Sequence, residues 1–130
     1  MVKGAPLDGA TLHSTMLNVK VDRSEQLALH DQVAAEIRRA IANGEVRSGE
    51  RLPPAVDLAA VLGVNRNTVL RALRILRDEG TVDFTRGRGV RVTGTQERSA
   101  LMLKVNELVD FARGQGCRRE ELISLIERLP

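Results

Sequence analysis

Aromatic residues are nearly absent: two Phe, no Trp and no Tyr. RNA-recognition modules and single-strand binders stack bases on aromatic platforms, so both are poor readings of this chain. One cysteine, Cys117, excludes a disulfide scaffold and a Cys-rich zinc site. Two histidines, His13 and His30, are too few for a convincing metal site. Neither pairs with an obvious nucleophile, so an enzyme is the weakest reading and no cofactor is implied. The longest stretch without a polar or charged side chain, Leu58–Val64, is far short of the roughly 20 apolar residues that span a membrane. No charged start followed by an apolar run opens the chain, so the expectation is a cytoplasmic protein without a membrane partner.

What is present suits one modest core. The chain has 130 residues, 42% hydrophobic and 28% charged, which reads as one globular domain or a small domain with an appendage. Net charge is +3, so the placement of charge matters more than its sum.

Residues 1–24 read as a leader and extended arm. Gly4, Pro6 and Gly9 break any period, and Leu17, Val19 and Val21 alternate with polar residues. Residues 27–43 have Leu29, Val33, Ile37 and Ile41 every four positions, a helix that Gly44 stops. Arg38 and Arg39 near its end suit the helix dipole, with phosphate contact as the alternative. Residues 45–54 read as a turn. A short helix over Ala55–Leu62 offers Val56, Leu58, Ala59 and Leu62 to the core. Gly63 ends it, and Asn65 is placed to cap a helix over Arg66–Glu79 whose inner face is Val69, Leu73 and Leu76. Two helices joined by Gly63-Val64-Asn65 match a helix-turn-helix. Thr81–Thr85 and Val90–Thr93 then alternate as strands around a tip of Arg86, Gly87, Arg88 and Gly89, which forms a wing.

After Gly94 the period is helical again. Leu101, Val105, Leu108 and Ala112 form one stripe, Gly114 and Gly116 break the chain, and a last helix covers Arg118–Leu129. The expected fold class is mainly α with a small β-hairpin: a winged helix-turn-helix over 25–94 and a two-helix dimerisation tail over 95–130. Two short amphipathic helices cannot bury both apolar faces alone, so a second copy is the natural cover; packing back on the winged domain is the alternative.

Charge is concentrated where this reading needs it. Arg66 to Arg91 holds seven arginines against three acids, whereas Gln96 to Pro130 holds six of each sign. That is the footprint expected of phosphate neutralisation on DNA. Asn65, Arg66, Asn67 and Thr68 open the second helix of the motif. Asn pairs with adenine and Arg with guanine in bidentate fashion, each worth about 1–3 kcal/mol of discrimination. A polar helix start, with Asn and Thr as caps, is the bland alternative. Arg71 assists, and Arg86 and Arg88 with the Gly87 and Gly89 backbone approach phosphate or the minor groove; a solvated hairpin is the alternative. His13, His30 and Cys117 read as inert. Arg74 and Arg77 read as solvated, with phosphate contact as the alternative.

Gly49-Glu50-Arg51-Leu52-Pro53, Asp57-Leu58-Ala59, Leu62 through Val69, Leu76, Glu79-Gly80 and Gly87-Arg88-Gly89 together resemble the GntR family of bacterial transcription regulators. The likeness covers about residues 27–93. It implies a winged helix-turn-helix and dimeric binding to a near-palindromic operator, with repression as the expected outcome. The short tail resembles the YtrA-type branch, in which it serves mainly for dimerisation. Two positions depart from the family pattern. Relatives usually follow Leu-Pro with Ser-Glu-Arg, where Ser caps the helix and Arg contacts DNA; here Pro54-Ala55-Val56 stands instead. Relatives also often hold Arg where Leu70 stands, and a one-residue shift to Arg71 turns a side chain about 100°. Base contacts then rest on Arg66, Asn67, Thr68 and the wing. Two other functions fit such a fold: a protein-interaction adaptor, or an effector sensor with its site at the dimer interface.

Overall fold

The structure, a computed structural model, describes residues 28–130. The expected leader, the arm at Leu17–Val21, His13 and Leu27, the first residue of the first expected helix, lie outside them.

Helix α1 (Leu29–Ala42) follows the four-residue apolar period. Val33, Ala34, Ile37, Ala40 and Ile41 are all at most 1% exposed. The chain leaves α1 by a tight reversal, with the Glu45 N–H donating to the Ala40 carbonyl at 2.9 Å. Helix α2 (Ala55–Leu62) starts after Pro54, whose carbonyl accepts from Asp57 and Leu58 N–H. Pro54 lacks a side-chain acceptor, but its φ of −56° already suits entry into a helix. Gly63 ends α2 at φ +71°, a left-handed conformation that glycine adopts without a Cβ clash. Helix α3 (Arg66–Asp78) begins at once, buries Val69, Ala72, Leu73 and Leu76, and packs on both α1 and α2.

Strands β1 (Val82–Thr85) and β2 (Gly89–Val92) pair antiparallel, with Val82 opposite Val92 and Phe84 opposite Val90. A difference from the expected turn appears here. Gly49–Leu52 lies along the other edge of β2: Leu52 N–H donates to the Val90 carbonyl at 2.8 Å, and Val92 N–H to the Glu50 carbonyl at 2.8 Å. The wing therefore has a third, very short antiparallel partner, bridged at Arg51 and Arg91.

The core runs from Val33 to Val92. It includes Val46 and Leu52 from the connecting segment, Leu58 and Leu62 from α2, and Val82 and Val92 from the wing. Val56 is not part of it. At 58% exposure it faces outward, because Leu58, Ala59 and Leu62 form the side of α2 that is buried.

Helix α4 (Gln96–Gly114) starts at Thr95, whose hydroxyl accepts from Arg98 N–H at 3.0 Å. It packs on α1, with Ser99 fully buried and the Gln96 side-chain amide donating to the Ala42 carbonyl at 2.9 Å. Gly114 is the last helical residue rather than a break, and Gly116 at φ +78° makes the turn. Helix α5 (Arg119–Glu127) follows. At its start the Arg118 guanidinium and backbone N–H both donate to Glu121, which holds that exposed carboxyl below the usual carboxylate range. Among the described residues, Ala112 is the one buried hydrophobic side chain of these two helices. Leu101, Val105, Leu108 and Phe111 on α4, and Ile123, Leu125 and Ile126 on α5, are all at least 43% exposed. None of the described helices is long and apolar enough to cross a membrane.

Candidate nucleic-acid interface

Helix α3 turns two chemically different sides outward and inward. With about 100° per residue, Val69, Ala72, Leu73 and Leu76 form one side. Asn67, Arg71 and Arg74 recur at the i, i+4, i+7 positions of the opposite side, and all three are exposed. Arg66 and Thr68 flank this stripe, Arg66 exposed and Thr68 half-buried. Arg74, read from the sequence as solvated, extends the same stripe by one turn; its i+3 spacing from Arg71 is the signal. Arg66, Arg71 and Arg74 make no ion pair with any described residue.

Asn65 has a local task. Its Oδ1 accepts the Asn67 backbone N–H at 2.7 Å, capping α3 as its sequence position implied. That commits one of the two lone pairs of its amide oxygen and leaves its NH2 group uncommitted.

The hairpin tip stands out from the body. Arg86, Gly87, Arg88 and Gly89 are all exposed, and Arg88 N–H donates to the Thr85 carbonyl at 2.9 Å to close the loop. Gly87 and Gly89 have φ of +73° and +74°, so a side chain at either would strain the loop. The two arginines have no acidic partner among the described residues. The tip thus holds uncompensated positive charge on a narrow backbone that a polyanion can approach closely.

Three other arginines are committed elsewhere. Arg38 is 3% exposed and forms a bidentate pair with Glu79, at 2.9 Å from Nε and 2.7 Å from Nη2. This corrects both sequence readings of Arg38: it neither reaches phosphate nor merely answers the dipole of its own helix, but ties α1 to the end of α3. Thr81, fully buried, donates its hydroxyl to the same carboxylate at 2.7 Å. Arg39 pairs with Glu36 at 3.1 Å and lies 3.5 Å from Glu45, which is likewise not a phosphate-facing arrangement. Arg77 is exposed, as expected, and also lies 5.0 Å over the Phe84 ring and 3.4 Å from Asp78, a contact between α3 and the wing.

At the elbow of α4 and α5, an open cleft of about 400 Å³ is lined by Val109, Ala112, Arg113, Cys117, Arg119 and Leu122, among others. Cys117 is half-buried there. No group of His, Cys, Asp and Glu among the described residues could hold a metal ion.

Comparison with known proteins places this geometry. Residues 29–92 match the family of bacterial regulatory proteins called the gntR family. The transcriptional regulator Rv1152 of Mycobacterium tuberculosis is 32% identical over 114 residues, which cover 86% of this chain and 93% of that protein. The transcriptional repressor YtrA of Bacillus subtilis is 25% identical over 118 residues, covering 85% and 91%. The regulator RB1450 of Rhizobium meliloti is 35% identical over 102 residues, but the chain spans only 41% of its length. Among solved structures, YtrA of Sulfolobus acidocaldarius, a GntR-family transcription factor, superposes with a TM-score of 0.55 at 32% identity. It covers 71% of this chain and 97% of that one.

Proposed function

The chain belongs to the GntR family of bacterial regulatory proteins, whose members are DNA-binding transcriptional regulators, and from that premise we propose that it acts as a homodimeric repressor at a near-palindromic operator. Residues 25–94 are the reading head and residues 95–130 the dimerisation tail. The outward stripe of α3 carries the proposal, because unpaired Asn67 and Arg71 lie opposite the buried face on the second helix of a helix-turn-helix. In this reading α3 enters the major groove. Arg66, Asn67 and Thr68 meet base edges or nearby phosphates, Arg71 assists, and Asn65 sets the first turn. Arg86 and Arg88, with the Gly87 and Gly89 backbone, approach the adjacent phosphates or minor groove.

Dimerisation is supported by the exposed apolar side chains of α4 and α5, which no other described segment covers. Repression is supported by the B. subtilis relative, which is named a repressor. The protein works in the cytoplasm, where its DNA is.

Selection from random duplex DNA at two salt concentrations tests the proposal. An enriched inverted repeat is the expected result, and its spacing reports the dimer geometry. Steep salt dependence with no enriched sequence would reduce the protein to a non-specific binder. Failure to bind at either salt would overturn the operator reading in favour of a protein-interaction role.

A further inference from the structure

We propose that Arg51, which precedes α2 by four residues, is a third phosphate-binding arginine of the wing. The inference rests on the DNA-binding reading above and assigns it a contact outside both the helix-turn-helix and the hairpin.

The geometry begins with strand alternation. Gly49–Leu52 pairs with β2 through backbone hydrogen bonds on both sides of Arg51. Leu52 is 2% exposed and faces the core, so Arg51 faces the other side of the sheet. There it joins Arg91, its bridge partner, and Asp83, which lies opposite Arg91 on β1.

The Arg51 side chain does not stay level with Arg91. A Cβ built at Gly89 would sit 3.8 Å from its Cδ and its Nε. The stem therefore leans along β2 toward the hairpin tip, in ordinary van der Waals contact with the bare Gly89 backbone. The absence of a side chain at Gly89 leaves it that path. Packing of the stem restricts its rotamers and carries the guanidinium toward the end of the sheet that holds Arg86 and Arg88.

The charge on Arg51 has no partner among the described residues. Arg91, its neighbour, is tethered: its Nη1 donates to the Gly49 carbonyl at 2.8 Å. The nearby acids are engaged locally, Asp83 by the Phe84 N–H and Glu50 by the Arg47 N–H. Arg51 is thus exposed, uncompensated and aimed at the wing tip. A guanidinium so placed suits the phosphate backbone of duplex DNA, because its fork matches phosphate oxygens and reads no base edge from there.

The test is a salt titration of binding to a fluorescein-labelled mixed-sequence duplex by the full chain, by Arg51→Met, by Arg51→Lys and by Arg88→Ala. Met retains the apolar stem and removes the charge. Arg51→Met is expected to bind up to about tenfold more weakly per protomer near 0.1 M salt, with a slope of log K against log salt shallower by about 0.9 per protomer. Arg51→Lys should keep the parental slope. Thermal unfolding of Arg51→Met should match that of the parent, which separates the lost contact from a damaged wing. Parental affinity and slope in Arg51→Met, with a shallower slope in Arg88→Ala, would overturn the role of Arg51 alone. Absence of salt-dependent binding by the parent would overturn the DNA reading and this contact together.

Discussion

Asn65 holds a local job at the start of α3. Its Oδ1 accepts the Asn67 N–H at 2.7 Å, and bidentate reading of adenine needs that same oxygen. The cap is the task the structure shows for Asn65, and in the proposed reading base contact falls to the residues after it. Asn65→Ala should lower stability by about 1 kcal/mol in urea unfolding, and Asn65→Ser should restore most of it, because serine also accepts an orphan N–H. If Asn65→Ser also keeps DNA affinity while Asn67→Ala loses it, the two asparagines have divided capping from reading. The cap was legible in the sequence because capping is local: a polar residue followed by an apolar helical period announces it. Val56 was not legible in the same way. In α2, every residue but Asp57 is apolar, so no periodicity marks an inner face. The side that is buried is chosen by packing on α3, which only the folded chain reveals.

At the scale of elements, one buried pair sets how the reading helix sits. Arg38 on α1 and Glu79 after α3 are 41 residues apart, and their fork-to-fork contact fixes the far end of α3 while its first turn remains free for DNA. Removing one partner strands a buried charge, so Glu79→Ala should cost about 3–5 kcal/mol in urea unfolding. The triple replacement Arg38→Met, Glu79→Leu and Thr81→Val should recover most of that loss, since Thr81 donates its buried hydroxyl to the same carboxylate and an all-apolar cluster of similar volume leaves no polar group unpaired. A single variant with parental stability would show that water reaches the site freely. The helices, the turn between them and the hairpin all announced themselves through period and punctuation. The Arg38–Glu79 pair and the Gly49–Leu52 edge did not. The first depends on a tertiary contact between distant residues, and the second holds a single apolar side chain, Leu52, so it shows no alternation.

At the scale of the molecule, most of the exposed large apolar side chains belong to the two tail helices. Leu101, Val105 and Leu108 share one stripe of α4, and Ile123, Leu125 and Ile126 add to it from α5. A second copy is the cover that symmetry supplies most readily. Leu108→Glu combined with Ile126→Glu should yield a monomer in sedimentation velocity with its helical circular dichroism retained. On a duplex with two half-sites its affinity should fall by about 10²-fold or more, because linked binding is lost. A dimer that survives both charges would move the mating surface elsewhere. The tail was legible as two helices, and so were the apolar residues that they leave exposed. The stated alternative, packing back on the winged domain, is met in part, since α4 seats on α1 with Ser99 buried and Gln96 bonded to the Ala42 carbonyl.

Helix α4 therefore carries two fittings on one rigid rod, a seat on α1 at its beginning and an apolar stripe farther along. A helix advances about 1.5 Å and turns about 100° with each residue, so the two fittings share a fixed phase. One inserted residue between them would swing the apolar stripe by more than a quarter of a circle relative to α1. In the proposed dimer, lineages that lengthen this rod would have to do so in near-whole turns, and the distance between the two DNA footprints would then evolve by jumps rather than by drift.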